Sequence, residues 1–96
     1  MDLQAVLSRL HSLAPELKEA GVRSLFVFGS VARGESDAAS DVDLAVEFSR
    51  PIGLFEFSGL KLRLEEVLGC KVDLVMPSGL RPEVRDSLMR DAVRAA

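Results

Sequence analysis

Two aspartates, one residue apart, open an apolar stretch near the middle of the chain. Asp41 and Asp43 begin the segment DVDLAVEF, in which apolar residues occupy every second position. Successive side chains of a strand point to opposite faces, so a strand here places both carboxylates on one face and Val42 on the other. The two α-carbons would then lie roughly 6.6 Å apart. Carboxylates this close repel each other, and a divalent cation such as Mg²⁺ offsets that repulsion.

A Gly-Ser pair stands upstream, at the end of another apolar run. Residues 25–28 read LFVF and are followed by Gly29 and Ser30. Glycine lets the backbone turn and approach a ligand closely, and a helix that begins at Ser30 offers a hydroxyl and backbone N–H groups to an anion. Arg33 adds a forked positive donor suited to phosphate, although an ion pair with Glu35 is an equally open reading. The pattern indicates a phosphate-holding turn beside a carboxylate site.

A third aspartate lies in a later apolar run with the same alternation. In the run from Lys71 to Met76, Val72 and its apolar partners alternate with Asp73. The three aspartates therefore share one face of a sheet if the second and third strands are neighbours.

These motifs together resemble the signature of a known superfamily. They are, in order, Gly29-Ser30, Ala32-Arg33-Gly34, Ser40-Asp41-Val42-Asp43-Leu44 and Val72-Asp73-Leu74. Their order and spacing resemble the DNA polymerase beta-like nucleotidyltransferases, and more narrowly the minimal nucleotidyltransferases (MNT) of prokaryotes. The resemblance covers nearly the whole chain.

The resemblance implies a chemistry and a set of roles. A nucleoside triphosphate, ATP by expectation, gives its AMP to a hydroxyl acceptor and releases pyrophosphate. Asp41 and Asp43 would hold two Mg²⁺ ions, Asp73 would complete the site of one ion and could accept the acceptor's proton, and Gly29 and Ser30 would seat the β- and γ-phosphates.

The resemblance also implies a partner. Minimal nucleotidyltransferases are typically encoded beside HEPN-domain proteins, as the antitoxin of a toxin–antitoxin pair, and transfer AMP to a tyrosine of the toxin. A non-catalytic binding module that neutralises its partner by complex formation is the alternative. Transfer to a small molecule is a third reading, but relatives of that kind generally carry a further domain.

The surrounding pattern predicts an α+β fold, with a small mixed sheet of three strands and helices against one face. The predicted strands are residues 24–28, 41–48 and 71–76, and the predicted helices are 2–13, 30–33, 54–68 and one from about Pro82. Pro15 is expected either to kink the first helix or to begin a second short one. In the helix 54–68, Leu54 is predicted to belong to the buried stripe and Phe55 to lie off it. In the last helix Val84 and Val93 are expected to face inward. The polar residues 34–40 are expected to form a rim of the site.

Length and composition narrow the class of protein. Ninety-six residues with a net charge of −3 predict one domain, 1–96, without the basic stripe of a protein that binds long nucleic acids. The lone Cys70 excludes an internal disulfide. No apolar stretch approaches the ~18 residues of a membrane span, and no signal peptide is evident, so a cytoplasmic location is expected. The oligomeric state stays open.

Overall fold

The computed structural model describes residues 2–35 and 41–96 as a sheet with helices. The elements, in chain order, are α1 (Leu3–Ser12), α2 (Ala14–Glu19), β1 (Val22–Phe28), α3 (Gly29–Ala32), β2 (Val42–Phe48), α4 (Leu54–Leu68), β3 (Val72–Val75), a 3₁₀ turn (Pro77–Gly79), α5 (Pro82–Met89) and β4 (Val93–Arg94). Ser40 and most of the predicted rim loop lie outside the described residues.

The sheet is mixed, with the strand order β3-β2-β1-β4. β1 runs antiparallel to β2 and to β4, whereas β2 and β3 run parallel to each other. A parallel pair needs a crossover connection, and α4 supplies it between β2 and β3. The predicted neighbourhood of the second and third strands is therefore confirmed, and so is the mixed α+β fold.

Local sequence signals account for the first two helices. The Asp2 carboxylate accepts a hydrogen bond from the Ala5 N–H at 2.8 Å and so caps α1. Pro15 stands in the first turn of α2, where its missing N–H costs nothing. Of the two outcomes predicted at Pro15, a kink or a second short helix, the structure has the second helix.

One hydrophobic core joins the helices to a single face of the sheet. From the sheet it includes Leu25, Val27, Val42, Leu44, Val46, Val72 and Leu74, and from the helices Val6, Leu10, Leu17, Leu60, Leu64 and Leu68. The sheet residues occupy alternate positions of their strands. The other positions, which include Asp43 and Asp73, belong to the opposite face.

The end of the chain differs from the sequence prediction. The sheet has four strands rather than three, because Val93–Arg94 pairs with β1 instead of extending the last helix, which ends at Met89. Backbone pairing with a distant strand outweighs the local helical pattern, since the N–H of Ala95 donates to Leu25 O at 2.7 Å. Val84, predicted to face inward, is 48% exposed.

Within the described ranges, no helix combines the length and the apolar composition that a membrane crossing requires.

Candidate active site

The turn after β1 is short and rigidly placed. Gly29 has a φ of +72°, a backbone conformation that favours glycine, and starts the single helical turn α3. Val31 anchors this turn in the core, with 1% of its surface exposed. Two backbone hydrogen bonds stabilise the turn: the Arg33 N–H donates to Gly29 O at 3.2 Å, and the Glu35 N–H donates to Ser30 O at 2.9 Å.

Asp43 lies in the middle strand pair of the sheet, between two neighbours. Its partner in β1 is Phe28, the residue before Gly29, and its partner in β3 is Asp73. Asp43 is half-buried, while Asp73 and Asp41 are exposed, the latter directly before β2. The register thus brings the Gly-Ser turn and two of the predicted aspartates together, with the third two residues away along the chain.

The backbone of Gly29 packs directly against the Asp43 side chain. A β-carbon at position 29 would overlap Oδ2 of Asp43 and lie 3.1 Å from its Cγ and 3.4 Å from its Cβ. Only a residue without a side chain fits between the turn and the carboxylate. Gly29 is therefore required both by its backbone conformation and by the space that Asp43 fills.

The electrostatics of the site disfavour a charged Asp43. Burial raises the pKa of the Asp43 carboxyl, and so do the charge of Asp73, a hydrogen bond with Asp73 and the charge of Asp41; the positive charge of Arg33 acts in the opposite direction. A bound cation would offset the repulsion between these neighbouring negative charges.

Arg33 is exposed and paired. Its Nε donates to Glu35 at 3.1 Å, so the ion pair that the sequence left open is present. Its positive charge lowers the pKa of Asp43, against the larger effect of burial.

The donor chemistry of the site fits Mg²⁺, which prefers carboxylate oxygens together with water and phosphate. Asp41, Asp43 and Asp73 are the residues that would hold it. Over residues 2–35 and 41–96, no group of three or more His, Cys, Asp or Glu side chains is placed so that it could hold a metal ion, so the three predicted ligands do not all converge. The observation that supports the fit is the adjoining Asp43–Asp73 pair against Gly29.

A second polar cluster on this face of the sheet was not predicted. The hydroxyl of Ser24 donates to Glu47 at 2.7 Å, and Arg23 donates to the same carboxylate at 3.3 Å. The alternation of side chains along β2 indicated that Glu47 shares the face of Asp43. It did not indicate the partners of Glu47, which depend on the strand register that sets Ser24 opposite Glu47. The cluster provides a hydrogen-bond partner for the hydroxyl of Ser24, a buried residue of which 4% is exposed.

A glycine turn that abuts an aspartate pair, on the open face of a small mixed sheet, is the arrangement that the resemblance to nucleotidyltransferases implies. Comparison with known proteins agrees. The family model described as "Nucleotidyltransferase domain" matches residues 10–95. The protein adenylyltransferase MntA of Thermococcus cleftensis is 40% identical over 94 residues, which cover 97% of this chain and 95% of that relative.

Solved structures give the same result. A structure described as a candidate minimal nucleotidyltransferase is 40% identical, has a TM-score of 0.84, and matches over 97% of this chain and 95% of its own. A Shewanella oneidensis complex of a tri-AMPylated HEPN toxin with an MNT antitoxin shares the fold at 16% identity and a TM-score of 0.69, over 95% of this chain and 71% of its own.

The chain belongs to the nucleotidyltransferase domain family, in its minimal (MNT) branch. The prediction of an enzyme, a nucleotidyltransferase of the adenylyltransferase type, is thereby confirmed.

Proposed function

We propose that the protein is a Mg²⁺-dependent protein adenylyltransferase that transfers AMP from ATP to a tyrosine hydroxyl of a HEPN toxin and thereby acts as its antitoxin. Three relatives support the proposal: one named protein adenylyltransferase, one MNT antitoxin in complex with a tri-AMPylated HEPN toxin, and one toxin–antitoxin complex with AMP-PNP. The last two share this chain's fold at 16% and 19% identity.

The observation that carries the proposal is the contact of Asp43 with Gly29 on one side and with Asp73 on the other. The phosphates of a nucleotide would lie against the Gly29-Ser30 turn, where the absent side chain of Gly29 permits a close backbone approach. The aspartates then face the reacting phosphorus from the neighbouring strands. Arg33 adds a positive charge for the phosphates.

Mg²⁺, when bound by Asp41, Asp43 and Asp73, supplies positive charge to the α-phosphate and to the attacking and leaving oxygens. Two ions are the expected number. The aspartates contribute fixed carboxylate oxygens that need no rearrangement during the reaction.

The transfer exchanges the phosphoanhydride bond between the α- and β-phosphates of ATP for a phosphodiester bond to the acceptor. The acceptor oxygen forms a bond to the α-phosphorus, and the bond from this phosphorus to the bridging oxygen of pyrophosphate breaks. The proton of the acceptor hydroxyl passes to the carboxylate of Asp73. β3 is an edge strand and Asp73 is exposed, so an acceptor on another protein can reach it.

The whole chain, 1–96, acts in this proposal as one catalytic domain, and its net charge of −3 disfavours long nucleic acids as partners. A cytoplasmic location, where ATP and Mg²⁺ are at hand, completes the proposal.

The test is incubation of the purified chain with ATP, Mg²⁺ and a cognate HEPN protein, followed by intact mass measurement and mapping of the modified residue. The expected product is the HEPN protein with one or more AMP groups on tyrosine. Asp43→Asn should abolish the adduct, because it removes the carboxylate between Gly29 and Asp73.

Glu47→Gln is the matched control, since it changes a carboxylate on the same face that does not adjoin Asp73. It should retain modification. If Asp43→Asn neutralises the toxin as well as the unchanged chain does, without any adduct, the proposed chemistry is wrong and the protein is a binding module.

A further inference from the structure

The outer surface of α4 carries large apolar side chains that the fold leaves uncovered. Phe55 is 93% exposed, Leu54 77% and Leu62 65%, whereas Leu60 and Leu64 of the same helix are buried in the core. Leu54 was predicted to be buried, and the structure places it outside. Three large apolar side chains on one helix face are a feature of binding surfaces rather than of a solvated helix.

A small residue interrupts this surface midway along the helix. Gly59 lies on the outer face, exposed, and a β-carbon there would meet no atom within 4 Å. Glycine weakens a helix relative to alanine, and among the described residues no atom occupies the space that a side chain at position 59 would fill. A glycine between Phe55 and Leu62 lets another helix approach the backbone closely.

We propose that this surface, Leu54, Phe55, Ser58, Gly59 and Leu62, binds a second copy of the same chain through an antiparallel pair of α4 helices. The twofold axis passes between Ser58 and Gly59. Phe55 and Leu62 stand the same number of residues on either side of that point, so each Phe55 meets Leu62 of the other copy. The surface is thus self-complementary, as a twofold interface must be.

The helix geometry gives the Phe55 ring a defined receptor. In antiparallel packing about this axis, the ring enters a space on α4 of the other copy that is bordered by four residues: Gly59, Leu62, Arg63 and Glu66. Gly59 and Glu66 lie about one helical turn before and after Leu62. Gly59 supplies the room. An apolar groove between α2 and α4, lined in part by Leu17, Phe48, Ile52 and Leu60, opens beside this space and extends its apolar border.

The charges along one edge of the surface fit the same arrangement. Glu56 and Arg63 occupy the same flank of α4, and antiparallel helices bring like flanks together. Glu56 of one copy then lies within two residues, about 3 Å along the helix axis, of the level of Arg63 of the other, and the pair occurs twice. Within one chain these side chains bind Arg50 and Glu16, but they remain 51% and 40% exposed and can join a wider network.

The size of the surface sets the expected strength. One helix face with three large apolar side chains falls short of the roughly 1,600 Å² that standard stable interfaces bury. We therefore expect a weak dimer with a dissociation constant on the order of 10–100 µM. α4 packs on the face of the sheet opposite Asp43, so dimerisation leaves the carboxylates accessible and does not depend on the proposed function.

Sedimentation equilibrium of the purified chain, from about 5 to 500 µM, tests the proposal. We expect a monomer–dimer equilibrium, weakened at least tenfold by Phe55→Ser. Val84→Ser is the matched control, because Val84 is also exposed but lies on α5. It should leave the equilibrium unchanged. Circular dichroism should show the same helix content for both variants, since neither side chain is part of the core.

Charge exchange identifies the geometry. Glu56→Arg and Arg63→Glu should each weaken the dimer, and the double variant should recover most of the loss, because the exchanged charges again face each other. A chain that stays monomeric at 500 µM overturns the proposal. A dimer that Phe55→Ser leaves intact also overturns it. So does a chain that never self-associates but binds a helical partner protein through this surface, so that Phe55→Ser weakens only that binding.

Discussion

The α-carbon of Gly29 lies against the Asp43 carboxylate, so closely that a β-carbon at position 29 would overlap Oδ2 of Asp43. This contact joins the turn after β1 to the middle of β2. It limits where the carboxylate can lie and favours glycine at position 29. Asp73 adjoins the other side of Asp43, so Asp43 lies between the Gly29 turn and the second aspartate.

Gly29→Ala should inactivate the enzyme and destabilise the fold. The new methyl group would displace Asp43, and alanine would also adopt an unfavourable positive φ. We expect a loss of about 2–4 kcal/mol in the free energy of unfolding and the disappearance of AMP transfer. Thermal denaturation and intact mass measurement check the two effects.

Gly34→Ala separates the two causes. Gly34 has nearly the same φ, +73°, but a β-carbon there meets no atom within 4 Å. It should cost only about 1–2 kcal/mol of stability and leave transfer measurable. Equal loss of activity in both alanine variants would mean that backbone strain, rather than displacement of Asp43, inactivates the enzyme.

Asp43→Asn should stabilise the metal-free protein while it abolishes transfer. Burial and the charges of Asp73 and Asp41 raise the pKa of Asp43, so its charged form is held at a cost to folding at neutral pH. After allowance for solvent screening of a partly exposed group, we expect a gain of about 0.5–1 kcal/mol, or roughly 2–6 °C in Tm. Calorimetry in chelator measures it. An unchanged or lower Tm would show that the carboxylates do not strain the fold.

Mg²⁺ should make the unchanged chain more stable than Asp43→Asn, the reverse of the order expected without metal. A cation bound by the aspartates stabilises the folded state by about 1.4 kcal/mol at ten times its dissociation constant. The unchanged chain should therefore gain Tm with added Mg²⁺, and Asp43→Asn should gain little. Glu47→Gln should respond as the unchanged chain does, because Glu47 binds Ser24 and Arg23 away from the aspartate pair. Equal responses in all three proteins would place the binding of Mg²⁺ elsewhere.

The cysteine offers a pH-dependent test of the fold. Burial raises the pKa of the Cys70 thiol, which lies just before β3 and is half-buried. The raised pKa reduces the thiolate fraction below the pKa, so alkylation at about pH 8 should be slower in the folded protein than in the unfolded chain. The difference should narrow as the pH rises through the raised pKa. The chain has one cysteine, so total modification by mass reports it directly. Alkylation as fast as in the unfolded chain would contradict this packing.

Alternation predicted much of the site from the sequence. The apolar positions of β2 and β3 assigned Asp43 and Asp73 to one face, and the motifs ordered the Gly-Ser turn before them. The contact between Gly29 and Asp43 was beyond such reasoning, because it depends on the register that sets Phe28 opposite Asp43. No local pattern encodes which residue of one strand meets which residue of the next.

The missed strand has a similar cause. Val84, Leu88 and Ala92 recur at helical spacing, and two residues, Val93–Arg94, carry too little alternation to indicate a strand. Their partner is β1, most of the chain away. Such pairing is a tertiary effect that overrides local propensity.

Ala95→Pro should show how much this edge pairing contributes. The Ala95 N–H donates to Leu25 O at 2.7 Å, and the neighbouring Ala96 exchanges two more backbone hydrogen bonds with Leu25. Proline removes the first donor and restricts the backbone that makes the others, so we expect a loss of about 2–4 kcal/mol in the free energy of unfolding. Ala95→Gly keeps the N–H, and should cost about 1 kcal/mol through chain entropy and the lost methyl contact. Chemical denaturation of both variants makes the comparison. If proline costs no more than glycine, β4 is a marginal edge that contributes little to the sheet; a larger cost for proline means that the pairing of β4 with β1 holds this edge of the sheet in place.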